Sequence, residues 1–237
     1  MGATHRVLVV HNAYQQHGGE DGVVAAEIAL LRRNGHEVGE MRRDNHEIET
    51  ASRARVAVET LWSNQTHAQA LALLERERPD VVHVHNTFPL ISPSLYWACA
   101  KAGVPVVQTL HNFRLACPQA MFLREGKVCE RCIGKAAPWP ALVHGCYRES
   151  RVQTAVVVGM LALHRTLRTF ERKVTRYIAL NEFCRAKFIE AGLPAQRIAV
   201  KPNFVDAARP QRLRARHGFL FVGRLSPEKG IDTLRAA

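Results

Sequence analysis

RVLVVHNAYQQHGGEDGVVAAEIALLRR, residues 6–33, decides the fold. Its opening, 6–11, is a short β-branched apolar run; a polar loop holding Gly18 and Gly19 follows, and 19–33 then carries Val23, Val24, Ile28, Leu30 and Leu31. A short continuous apolar run bounded by turn residues reads as a buried strand, and a longer stretch with apolar residues three and four apart reads as a helix. The same order returns in DVVHVH at 80–85 before a helix at 93–102, and in VPVVQTLH at 104–111 before a Cys-bearing insertion. YIAL at 177–180 precedes a helix over 182–191, IAVK at 198–201 is a further strand, and FLFV at 219–222 another. Strands of this kind alternating with helices predict an α/β fold, a doubly wound parallel sheet covered on both faces.

Composition agrees with a chain that has a core to bury. The 237 residues are 47% hydrophobic and 23% charged, with 15 Gly and 11 Pro, which excludes disordered, fibrous and collagenous classes. The longest apolar stretch, 155–163, falls short of the ~20 residues that cross a bilayer. The apolar run after Arg6 is too short for a signal-peptide core. The expected location is therefore cytoplasmic. Lys and Arg number 33 against 21 Asp and Glu, a net charge of +12, concentrated at 151–176 and 197–216. That imbalance suits an anionic partner, whether lipid, sugar phosphate or nucleic acid.

Residues 202–217 break the pattern with polar, charged and Pro residues, and 206–217 reads as an interdomain linker. The expected organisation is a first domain at 1–205, interrupted by a Cys-rich insertion at 117–146, and the opening of a second, truncated domain at 218–237. A lone strand and helix of ~20 residues cannot bury a core of its own.

Two loops suit anions. Gly18 and Gly19 directly precede a helix, whose N-terminus offers unpaired N–H groups, although Glu20 and Asp21 satisfy the helix dipole equally well. In FVGRLSPEKGIDTL, Arg224 and Lys229 converge at the carboxyl end of a strand, where open α/β sheets bind ligands. At this point the chain resembles the family 4 glycosyltransferases of the GT-B fold. The resemblance rests on GRLSPEKG at 223–230 after KPNFVD at 201–206, on the Gly-Gly-Glu loop at 18–20, on HVHNTFPLISP at 83–93, on VVQTLHNFRLACP at 106–118 and on YIALNEFCRAKFIEAGLP at 177–194.

The resemblance implies retaining transfer of a sugar from a nucleotide-sugar donor to a glycan or lipid-linked acceptor in a cleft between two Rossmann-like domains, with no catalytic metal. Arg224 and Lys229 would hold the donor diphosphate and stabilise the leaving charge. Gly18 and Gly19 would close the opposite side of the cleft near the diphosphate. His111 would contact the donor sugar at the reacting centre without acting as a general base. The family's later pair of glutamates, seven residues apart, lies outside these residues, so this chain alone is expected to be a poor or inactive transferase.

The remaining candidates read as follows. His83 and His85 alternate with Val82 and Val84, so they share one face of a strand and serve either as satisfied core residues or, for His85 with Asn86 at the carboxyl end, in the acceptor cleft. Cys117, Cys129, Cys132 and Cys146, spaced C-x11-C-x2-C-x13-C, suit a closed structural zinc that staples a long loop, with free thiols or a redox pair as the alternative. Cys99 and Cys184 fit helix packing. The basic helix expected at 165–176 either meets anionic lipid, giving peripheral membrane association, or is a solvated face. A non-catalytic sugar- or lipid-binding module is one competing reading. A zinc-stapled nucleic-acid binder is another, but the aromatics lack the spacing of known readers and no nucleic-acid partner is expected.

Overall fold

Alternate side chains of a strand point to opposite faces, and the first strand finds a different cover on each. In the computed structural model, which describes residues 3–16, 18–205, 218–223, 225 and 229–236, the elements are, in order, β1 (Arg6–Ala13), α1 (Gly19–Arg33), β2 (Glu37–Asp44), α2 (Glu47–Thr50), α3 (Arg53–Leu61), α4 (Asn64–Glu77), β3 (Val81–Asn86), α5 (Ser94–Ala102) and β4 (Val106–Leu110). There follow β5 (Leu123–Arg124), β6 (Lys127–Val128), α6 (Trp139–His144), α7 (Arg151–Thr166), α8 (Thr169–Arg172), β7 (Arg176–Ala179), α9 (Glu182–Glu190), β8 (Ile198–Val200) and α10 (Ile231–Ala236). Val7 and Val9 pack with Val24 and Ile28 of α1. Leu8 and Val10 belong to the main core, with Leu74 of α4, Leu95 of α5 and Leu161 of α7.

The six strands run parallel in the order β2-β1-β3-β4-β7-β8. The chain steps outward from β1 to β2 and then returns past β1 to β3. Strand order thus reverses between β1 and β3, which opens a crevice at their carboxyl ends. There the register shifts: Val10 pairs with Val84 but His11 with Asn86, so His85 is the extra residue of a bulge. A bulge re-aims the side chains around it.

Helix starts follow local chemistry. The side chains of Ser52, Ser63, Ser150 and Asn181 accept backbone N–H bonds in the first turns of α3, α4, α7 and α9, each worth about 1 kcal/mol. Gly103 and Gly145 end α5 and α6 in the left-handed conformation, at φ 73° and 59°, where a side chain would be strained.

Three sequence expectations change. The basic helix at 165–176 is not one helix: α7 ends at Thr166, Arg168 is left-handed at φ 53°, and the short α8 gives way to β7. Arg165 turns inward to the carbonyls of Lys135 and Leu115, and Arg168 pairs with Glu171. FLFV at 219–222 forms no strand, and Phe219, Leu220 and Val222 are exposed; a strand needs a neighbour's amides and carbonyls, and no described strand lies beside it. The Cys-rich loop does contain structure, the β5–β6 hairpin and α6. The linker expected at 206–217 lies outside the described residues. Among those described, no helix is long and apolar enough to cross a membrane.

Candidate functional site

The dipeptide His-Asn occurs at 11–12, 85–86 and 111–112, in each case at the carboxyl end of one of the three neighbouring strands β1, β3 and β4. Parallel strands in register carry these pairs to one edge of the sheet. His85 and His111 stack with ring centroids 5.2 Å apart, and His11 meets His85 edge-on at 6.3 Å. His85 Nδ1 and His111 Nε2 are 2.9 Å apart, so one ring donates its N–H to the other's lone pair. Burial, reinforced by the other histidines and Lys201, pushes His111 down to about 4 and His85 further. Burial also lowers His11. The histidines are therefore neutral at pH 7, and they can donate or accept hydrogen bonds without adding positive charge.

The Asn partners are scaffolding. Asn12 receives the Leu90 amide at its Oδ1 and donates to Asn45. Asn86 donates to the Asn12 carbonyl and receives the Phe88 amide. With both ends of its amide engaged, Asn86 shapes the crevice and has little left to offer a ligand. Asn112 caps the turn into Arg114.

The loop after β1 is organised by Asp21. Its Oδ1 bonds His11 Nε2 at 2.8 Å and the Tyr14 amide at 3.4 Å, and its Oδ2 takes the Gly18 amide at 2.8 Å. Burial alone would raise this carboxyl, but the bonds outweigh it and hold the pKa below the ordinary value. Gly18 is extended, at φ −119°, and a side chain at Gly19 would meet nothing within 4 Å. Neither position needs glycine for its backbone or its space, and the Gly18 amide is already taken. Glu20, beside Asp21, accepts the Tyr14 hydroxyl at 2.9 Å, and burial raises its carboxyl to about 7. Its Oε1 and His11 Nδ1 face each other at 3.9 Å, both buried and unpaired.

A cavity opens beside the histidines, lined by His85, Asn86, Phe88, His111, Asn112 and Arg114. The Arg114 guanidinium lies 4.5 Å from the Phe88 ring centroid and 5.0 Å from that of Tyr147, and bonds the Pro118 carbonyl. Rings and a carbonyl hold this cation, and among the described residues it makes no ion pair with a carboxylate.

The structure thus brings His85, Asn86 and His111 together and adds His11, Glu20, Asp21 and Arg114, which sequence reasoning did not assign to the site. The repeated His-Asn after three apolar strands is the signal that could have found the first of these. Lys229 is exposed next to α10 and makes no hydrogen bond or ion pair with the cluster, and Arg224 lies outside the described residues.

The four cysteines of the insertion occupy one neighbourhood. Burial, with Cys117, Cys146 and Cys129 nearby, raises the Cys132 thiol to about 11, and Cys146 rises for the same reasons. All are free thiols, and Cys117 and Cys132 are buried. Among the described residues, the one group of three or more metal-type ligand atoms within 4.8 Å of one another lies elsewhere, at Glu27, His83 and His85.

Comparison with solved structures gives low-identity likenesses. HepE of Anabaena, in complex with UDP, is 13% identical over 85% of this chain and 44% of its own, with a TM-score of 0.42. The UDP-GlcNAc 2-epimerase of Methanocaldococcus jannaschii is 10% identical over 82% and 45%, at 0.46. The lipopolysaccharide outer core galactosyltransferase WaaB is 12% identical over 88% and 50%, at 0.44. The chain spans about half the length of these proteins or less. Comparison with curated protein sequences gives no match. The six parallel strands form a doubly wound, Rossmann-like sheet, and residues 3–209 match the profile of Glycosyltransferase Family 4, so the chain belongs to that family.

Proposed function

We propose that this chain supplies the acceptor-side half of a retaining glycosyltransferase, which moves a sugar from a nucleotide-sugar donor to a glycan or lipid-linked acceptor in polysaccharide assembly. The observation that supports this reading best is the row of neutral histidines at the carboxyl ends of β1, β3 and β4, with a cavity beside His85 and His111. Sugars are uncharged and rich in hydroxyls, and neutral imidazoles hydrogen-bond them in either direction. In this reading Arg224 and Lys229 hold the departing diphosphate and Gly18 and Gly19 border it, while His111 bonds the donor sugar at the reacting centre. A pKa near 4 suits a hydrogen-bonding role for His111 better than acid catalysis at neutral pH.

Sugar transfer from a panel of nucleotide sugars tests the proposal, in a protein that joins this chain to a complete donor-binding half. His111→Ala is expected to lower turnover about a hundredfold, the usual loss when one preorganised hydrogen-bonding group is removed from a reacting centre. Unchanged turnover and donor affinity would remove His111 from the site. The 237-residue chain assayed alone should hydrolyse donors far more slowly than the ~1 per second of ordinary enzymes.

In the same reading Cys117, Cys129, Cys132 and Cys146 hold a structural zinc. Cys132 and Cys146, whose thiols are raised by burial and by the neighbouring cysteines, are poor neighbours for these as free acids, and gathered cysteines are good ones as thiolates around a cation. Protein purified without chelator should carry thiolate-bound zinc, lost on Cys129→Ser with a fall in melting temperature, whereas Cys184→Ser should retain it. Protein that contains no zinc, or keeps it in Cys129→Ser, would overturn the assignment.

A further inference from the structure

Behind the row of histidines, three side chains converge without bonding. Glu27 of α1 is buried, as is His85, and His83 is nearly so, with 12% of its side chain exposed. Glu27 Oε2 lies 3.6 Å from His83 Nδ1 and 3.7 Å from His85 Nε2. Both separations are too long for hydrogen bonds. They are close to the edge of about 3.4 Å expected between two ligands of a tetrahedral ion with bonds of about 2.0–2.1 Å. The three atoms all lie within 4.8 Å of one another, and His85 Nε2 is buried with no partner. An orphaned imidazole nitrogen aimed at a buried carboxylate needs something between them.

The surroundings fix each ligand. His83 Nε2 bonds Thr109 Oγ1 at 2.9 Å, and His85 Nδ1 bonds His111 at 2.9 Å. With those nitrogens carrying the protons, His83 Nδ1 and His85 Nε2 present lone pairs to the same point. Outer bonds of this kind orient and polarise metal-binding histidines. The remaining carboxylate oxygen, Glu27 Oε1, bonds Lys201 just after β8. Two residues apart on β3, the histidines share a face, and the carboxylate arrives from the helix that covers it.

We propose that Glu27, His83 and His85 bind a transition-metal ion, of the zinc, cobalt or nickel type that two imidazoles and a carboxylate select over magnesium or calcium. The ion closes the gap between α1 and β3 and fixes the proton between His85 and His111, so it acts through His111 and does not touch a reacting atom. The assignment stands on this geometry alone and is independent of the proposed sugar transfer.

The test is titration of the metal-stripped 237-residue chain with cobalt(II), read by visible absorption and by native mass spectrometry for stoichiometry. Cobalt held by thiolates shows intense sulfur-to-metal charge transfer, whereas cobalt at this site shows ligand-field bands alone. One equivalent of the second kind is expected, and Glu27→Gln and His83→Gln should each abolish it without altering any thiolate bands. Two variants that keep all three ligands guard against misfolding. Thr109→Val should weaken binding about tenfold, the usual cost of a lost outer bond, and Lys201→Met should tighten it by removing a competing cation. Absence of the ligand-field equivalent, or the same affinity in all four variants, would overturn the proposal. Loss of binding in Lys201→Met would do so too, because it would show that the carboxylate exists to pair with lysine.

Discussion

Asp21→Ala is expected to destabilise the chain by about 3 kcal/mol, the scale for removing an acceptor shared by several buried donors. The carboxylate is the shared acceptor for His11 Nε2 and the amides of Gly18 and Tyr14. Alanine leaves these groups without their acceptor, and each buried unpaired donor costs about 1–3 kcal/mol, offset in part by relief of the carboxylate's own desolvation. Because the folded-state pKa is depressed, this stabilisation is fully present above the ordinary Asp pKa and is lost as pH falls through the folded value. Urea unfolding at pH 7 measures it, and a loss under about 1 kcal/mol would show that water replaces the carboxylate without difficulty. Amide exchange at Gly18 should quicken in the same variant.

Glu20→Gln, one residue away, is expected to have the opposite sign. Burial raises the Glu20 carboxyl from 4.5 to about 7. Below pH 4.5 the folded and unfolded states are both protonated and the group is neutral in effect. As pH rises from there, the unfolded chain ionises first and stability falls, until the penalty is complete above pH 7. The shift corresponds to about 3 kcal/mol. Glutamine mimics the protonated acid, so the variant should be more stable than the parent by up to that amount at pH 8 and indistinguishable from it at pH 4. Equal stabilities at both pH values would mean that Glu20 ionises freely in the folded chain.

These neighbours show where sequence reading reaches its limit. Glu20 and Asp21 look alike as acidic residues in a helix's first turn, and both satisfy its dipole. Their fates differ because Asp21 faces three donors, whereas Glu20 faces a phenol and an unpaired imidazole nitrogen. The strands β1, β3, β4 and β7 were legible because inner parallel strands are near-continuous apolar runs, β8 because its run IAV is apolar although it lies at an edge, and the bounds of α1 agree with 19–33. Edge strand β2, EVGEMRRD, was not read: of its eight residues Met41 alone is buried, so it lacks that signature.

The sequence by itself determined the α/β class, the order of the parallel strands' appearance and the family, because strand periodicity, helix spacing and loop motifs are local properties of the chain. It also placed His83 and His85 on one face, since strand geometry requires residues two apart to align. The tertiary structure alone decided that His11, His85 and His111 meet, that Glu27 comes to His83 and His85 from another layer, and that Arg165 points inward. Those contacts join residues separated by 26 to 74 positions. Strand order, a register shift of one residue and the packing of a helix across the sheet set them, and none of these is written in the spacing of any single segment.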